Sequence, residues 1–123
     1  MTPKEQLIIQ LQTQAEQLNE LQRKIFEAKI VLESSEKALD YARTECTKEV
    51  LAMANDEVMK KELSNETKRQ MKVQELLSQR NQEQIDQVEQ QQVQLKQLSQ
   101  QFELQERTFT VTKLVARLFA KED

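Results

Sequence analysis

Residues 7–46 read LIIQLQTQAEQLNELQRKIFEAKIVLESSEKALDYARTEC, and the spacing of their apolar side chains indicates the fold. Apolar residues recur at alternating intervals of four and three, which is the heptad pattern of a coiled coil. The a positions are apolar or cysteine throughout: Leu11, Leu18, Ile25, Leu32, Leu39 and Cys46. The d positions are more mixed: Leu7, Gln14, Leu21, Ala28, Ser35 and Ala42. Together the two series predict a long helix that pairs with another helix.

The start of this helix carries a capping sequence, whereas its end is less clearly marked. Thr2 fits the N-cap, Pro3 the first helical position and Glu5 the third, which together make a capping box. The heptad register is lost near Glu49. The most loop-like stretch is Ser-Asn-Glu-Thr at 64–67, and Asn55 with its neighbour Asp56 is a second candidate for a turn. No glycine marks a stop, so a turn near residue 65 and a helix that runs straight through both stay open.

The second half of the chain predicts a more polar helix over residues 68–107. Twelve of the 27 residues in 79–105 are glutamine. The predicted apolar seam of this helix is Ile85, Val88, Leu95, Phe102 and Phe109. The companion series that begins at Ile85 continues through polar Gln92, Ser99 and Glu106. A seam this polar predicts a helix that depends on a partner for its stability.

The C-terminal residues 108–123 change in character. Residues 108–112 alternate β-branched and apolar side chains, which predicts an extended linker. A short amphipathic helix should follow, with Lys113, Arg117 and Lys121 opposite an apolar face made of Leu114, Val115, Leu118 and Phe119. This face is the predicted docking site for a partner protein; a membrane surface and the end of the helical bundle itself are the alternatives. The acidic residues at 122 and 123 argue against a membrane.

The composition supports an all-helical protein. The 123 residues include no glycine, no histidine and a single proline, while 32% are charged and 4% are aromatic. Glycine is the usual residue for tight turns and hairpins, so a sheet protein is excluded. We therefore expect an all-α fold, either one long coiled-coil helix or an antiparallel helical hairpin, with a short C-terminal tip helix. Its predicted parts are the helix 3–63, the turn 64–67, the Gln-rich helix 68–107 and the tip 108–123.

The same residues argue against catalysis and against several ligand classes. Without histidine or a glycine-rich phosphate loop, the chain lacks the usual general base and nucleotide cradle. Cys46 lies at a core position with no histidine partner, so we predict that it is buried rather than reactive. No carboxylates show zinc or EF-hand spacing, so neither a metal nor a cofactor is expected. The net charge of −3 without a basic patch argues against nucleic acid.

The remaining expectations concern location and function. No apolar run approaches the ~20 residues of a membrane span, and no signal peptide is visible. With a single cysteine, this predicts a cytoplasmic protein or one inside a virus or phage particle. Two functions fit: an assembly protein that oligomerises through residues 7–46 and scaffolds or tethers a complex, or a small regulatory adaptor or inhibitor that binds one partner as a helical hairpin. A prefoldin-like chaperone ranks third. All three imply protein partners, in a homo-oligomer or a hetero-oligomeric bundle.

Overall fold

The fold, seen in a computed structural model that describes residues 1–121, consists of two long helices packed against each other. Helix α1 spans Pro3–Ala54 with 52 residues, and helix α2 spans Glu66–Lys121 with 56 residues. No strand occurs among the described residues. The predicted all-α class is confirmed, and of the two predicted architectures the chain adopts the helical hairpin. Coiled-coil packing of the two helices stays a prediction.

The N-terminus of α1 forms as its sequence predicts. The Glu5 amide donates to Thr2 Oγ1 at 3.2 Å, and the Thr2 amide donates to Glu5 Oε2 at 3.4 Å. These reciprocal bonds satisfy two backbone donors that a helix start otherwise leaves without partners. The capping box is therefore confirmed, and α1 begins at Pro3.

The predicted end of the first helix at residue 63 is wrong, because α1 ends at Ala54. The connection covers residues 55–65, so it contains the candidate turn at Asn55 and Asp56 and only the first half of the 64–67 candidate, whose residues 66 and 67 belong to α2. The predicted turn at 64–67 is therefore too short and begins too late in the chain. Asp56 Oδ1 accepts from the Val58 amide at 3.1 Å, and Asn65 Oδ1 caps α2 by accepting from the Lys68 amide at 2.8 Å. No residue in the described chain has a positive φ. These polar side chains, together with backbone hydrogen bonds such as that from the Leu63 amide to the Met59 carbonyl oxygen at 3.0 Å, satisfy the reversal without glycine.

The predicted extended linker at residues 108–112 is also wrong, because α2 continues through it to Lys121. Thr108, Thr110 and Thr112 each donate their hydroxyl to the carbonyl oxygen four residues earlier, at 3.0–3.1 Å. Bonds of this kind satisfy the hydroxyl inside a helix, and Thr112 is also buried, with 6% of its surface exposed. Local β-propensity therefore yields to helical hydrogen bonding and packing. The tip is thus the end of α2 and not a separate helix; residues 122 and 123 lie outside the described part.

Helix α2 contains one irregular residue, Asn81, whose φ of −129° and ψ of 26° are not helical. The Asn81 side-chain amide donates to Gln84 Oε1 at 3.0 Å. Asparagine is favoured at helix starts because its side chain can bond to groups in the following turn. Asn81 therefore marks the point where two helical segments join within α2.

The chain divides into two compact units, each containing parts of both helices. The loop unit comprises Val31–Gln92, and the terminal unit comprises Met1–Ile30 and the described residues from Val93 onward. The loop unit holds the main apolar core, formed by Leu39, Cys46, Val50, Leu63, Val73, Leu76, Leu77 and Val88. Leu63 comes from the connection, so the turn itself contributes to the core. In the terminal unit the buried residues are Leu21 and Thr112.

Candidate protein-binding surface

The apolar stripe predicted on α1 is largely covered within the chain. Leu21, Leu39 and Cys46 are buried, and Leu32 packs against the core of the loop unit. The remaining members of the stripe are half-buried: Leu7, Leu11, Leu18 and Ile25. Contacts inside each unit thus occupy much of the surface that an oligomer would use. A role of these residues in oligomerisation stays a prediction.

Cys46 is one of the most deeply enclosed residues, with 3% of its surface exposed. Its predicted burial is therefore confirmed. Close to it, Arg80 makes a two-pronged ion pair with Glu49, in which Arg80 Nη2 lies 2.9 Å from Glu49 Oε1. Hydrogen bonding to Arg80 holds the pKa of the Glu49 carboxyl below its ordinary value. This pair joins α1 to α2 beside the core and has a structural role.

The seam predicted on α2 lies on the inner side of the helix. Val88 is buried and Ile85 packs against the loop-unit core, while Leu95, Phe102 and Phe109 are half-buried. The predicted companion series is only partly covered, since Ile85 and Ser99 are half-buried whereas Gln92 and Glu106 are exposed. The positions buried or half-buried between the seam residues are instead Leu77, Gln84, Gln91, Leu98, Gln105 and Thr112. The series is not evident from the sequence, because its glutamines are polar and do not indicate an inner position.

Three glutamines bring polar atoms into the helix contacts. The Oε1 atoms of Gln14, Gln91 and Gln105 are buried and accept no hydrogen bond from the described residues. A buried acceptor without a donor costs about 1–3 kcal/mol, so these residues weaken the pairing of the helices. Gln14 and Gln105 belong to the terminal unit, which is therefore held less firmly than an apolar seam would hold it.

The four residues predicted to dock a partner lie at the accessible end of α2. Leu114 and Leu118 are more than half exposed, and Val115 and Phe119 are each 37% exposed. Among the exposed large apolar residues of α2 that the sequence did not indicate, Leu104 at 63% and Val111 at 58% exposure are the nearest to these four in the chain. We call the set Leu104, Val111, Leu114 and Leu118 the outer stripe. Ile8 and Ile9 of α1 are exposed in the same unit.

The spacing of the outer stripe places its members on one side of α2. Successive members are seven, three and four residues apart, and such intervals bring helical side chains onto one face. The stripe extends over 14 residues, which is about 21 Å of helix. The sequence does not reveal the outer stripe, because the pattern at 108–112 predicts an extended segment. Such a segment would separate Leu104 from the apolar residues that follow it.

The charges near the outer stripe are divided along the helix. Glu103 and Glu106 lie at its start, whereas Lys113 and Arg117 lie near its end. Lys113 Nζ stands 4.8 Å from the centre of the Phe109 ring, a cation–π contact. Within residues 1–121, neither of the two glutamates nor Arg117 takes part in an ion pair within 4.0 Å. These charges are therefore available to a partner.

Other kinds of site find little support in the described residues. Residues 1–121 contain no group of three or more metal-binding side chains that could hold an ion. Neither helix, as far as it is described, combines the length and the apolar character that crossing a membrane requires. Comparison of the chain with protein-family models, curated proteins and solved structures finds no match.

Proposed function

We propose that this protein is a non-enzymatic assembly protein that binds other protein surfaces and tethers or scaffolds a larger complex. The observation that carries the proposal is the outer stripe of α2, an apolar row that no described residue covers. Apolar side chains arranged at helical spacing normally face a core, so an uncovered row indicates an interaction surface. Val115 and Phe119, beside the stripe, would widen the contact.

The mode of binding that fits this surface is helix-to-helix packing. A helix that presents apolar residues at intervals of three, four and seven packs against another helix or enters a groove between helices. Leu118 and Phe119 would act as anchors, because a partner that covers these large apolar side chains removes their surface from water. The charged residues beside them would fix orientation and select the partner.

A second candidate is a regulatory adaptor or inhibitor that binds a single partner as a monomer. It is favoured by the burial of Leu21, Leu39 and Cys46 within the chain, since a hairpin that covers its own stripe can fold without a second copy. Light-scattering mass measured during size-exclusion chromatography separates the candidates. A species of 14.5 kDa at all concentrations supports the adaptor, and a larger species supports the assembly protein.

The proposed surface is tested with the double variant L118S/F119S. It should weaken capture of the binding partners by at least about tenfold, since each truncated anchor costs roughly 1–2 kcal/mol of binding free energy. The matched control is Q94S/Q97S, which makes two substitutions at exposed positions of the same helix. Quantitative proteomics of the proteins retained by each immobilised variant gives the comparison, and circular dichroism checks that helix content is equal. Equal retention by the wild type and both variants would refute this surface.

A further inference from the structure

The outer stripe of α2 lies beside four charged residues that are acidic towards the start of the stripe and basic towards its end. Glu103 and Glu106 precede Thr110 by seven and four residues, while Lys113 and Arg117 follow it by three and seven. These intervals keep all five residues on one side of the helix, next to the apolar row. The pattern is nearly symmetric about Thr110, with the sign of the charge inverted.

Two copies of such a charge pattern are complementary to each other when one copy is rotated by 180°. Two copies of α2 that run antiparallel about Thr110 bring Glu103 of each helix to Arg117 of the other, and Glu106 to Lys113. These pairs are attractive, and the two-fold axis repeats each of them. Arg107, three residues before Thr110, comes near Lys113, three residues after it, in a repulsive contact that is also repeated, so the attractive pairs predominate but are not alone. Closed two-fold symmetry is the commonest arrangement of soluble homo-oligomers, and it requires a surface that is complementary to itself.

We propose that the occupant of the outer stripe is helix α2 of a second copy of this chain, packed antiparallel about a two-fold axis near Thr110 and Val111. The inference rests on the proposed function, since it names the partner of the same surface. In this arrangement Val111 lies beside its counterpart, and Leu104 lies near Leu118 of the other copy. The chain would thus form a homodimer through the outer side of α2 and not through the stripe of α1.

The charges favour the antiparallel direction over the parallel one. In a parallel pair each residue lies beside its own counterpart, so Glu103 would face Glu103 and Arg117 would face Arg117. Arg107 lies within the row, between Leu104 and Val111, and would also face itself. Like charges in direct opposition suppress an alignment, whereas the antiparallel pair places Arg107 near Leu114, against which its aliphatic stem can pack.

The test uses two charge-reversal variants of the full chain, E103K/E106K and K113E/R117E. The mass of each is measured by sedimentation equilibrium over micromolar concentrations, alone and in an equimolar mixture. The wild type should form a dimer of about 29 kDa, twice the chain mass of 14.5 kDa. Each variant alone should dimerise at least about tenfold more weakly, because each attractive pair becomes a repulsive one. The mixture should regain the dimer, since one variant is then basic along this side and the other is acidic except at Arg107.

A wild-type dimer that each variant weakens and the mixture restores would establish the antiparallel contact. Parallel copies already oppose like charges in the wild type, so reversing the charges would not weaken them further, and a general loss of folding cannot be reversed by mixing. A wild type of 14.5 kDa at every concentration would overturn the inference. So would variants that dimerise as strongly as the wild type, or a mixture that stays monomeric. A monomeric wild type whose capture of other proteins is still abolished by L118S/F119S would overturn the homodimer but leave the outer stripe as a protein-binding surface, as in the adaptor candidate.

Discussion

Replacing Leu77 by alanine tests the packing of the loop unit, and the cost can be worked from its position. Leu77 has 0% of its surface exposed and belongs to the core that joins α1, the connection and α2. The substitution removes the equivalent of about three methylene groups, at about 0.8 kcal/mol each. The remaining cavity raises the expected loss in free energy of unfolding to about 3 kcal/mol. For a chain of this length, that loss lowers Tm by about 12 °C.

The assay is urea unfolding followed by far-UV circular dichroism, with L51A as the matched control. Leu51 lies in the same unit but is about half exposed, so the same chemical change there should cost less than about 1 kcal/mol. With an m-value of about 2 kcal/mol/M, L77A should shift the midpoint of unfolding by about 1.5 M urea. The m-value itself should stay unchanged.

A small effect of L77A on the free energy of unfolding would contradict the burial of Leu77 in the core of the loop unit. If α1 continued straight into α2, Leu77 would be exposed, and alanine, the better helix former, would be neutral or slightly stabilising. A loss below about 1 kcal/mol would therefore mean that residues 66–80 do not fold back onto α1. Equal losses for L77A and L51A would likewise show that the core is not centred on Leu77.

Three further predictions follow from local features. T2A should remove the side-chain half of the capping box and cost about 1 kcal/mol, seen as faster amide hydrogen exchange in the first turn of α1. Q105L should raise the free energy of unfolding by about 1–3 kcal/mol, because it replaces a buried acceptor that has no donor. Q101L, at a neighbouring exposed position, should change the free energy of unfolding little, and urea unfolding of both variants measures the difference. The pKa of Glu49 is lowered by Arg80, so their pair stabilises the fold above the ordinary glutamate pKa of 4.5 and is lost as the pH falls through the lowered value. The wild type should thus exceed E49Q in stability at pH 7, and a difference that persists unchanged at pH 2 would contradict this.

The residues of the outer stripe can be recognised only in part from the sequence. Leu114 and Leu118 were identified because they lie close together within a short amphipathic segment. Leu104 and Val111 were missed, since a run of β-branched residues around Val111 indicated an extended backbone. Once α2 is seen to be continuous, the same four residues share one face, and the reversed charges about Thr110 become a feature of a single surface.

Amino-acid sequence alone accounts for the all-helical class, the start of α1 and the inner position of most predicted seam residues. These features depend on interactions within one or two turns: the cap at Thr2 joins residues three apart, and the seam follows from apolar spacing along one helix. The tertiary structure alone decided where the chain reverses, because that choice depends on contacts between distant residues. Glu49 and Arg80, 31 positions apart, form their ion pair only after the reversal, and Leu63 contributes its apolar surface to the core only there. It also decided the helical state of residues 108–112, where buried Thr112 and helical hydrogen bonds outweigh the local preference for an extended chain.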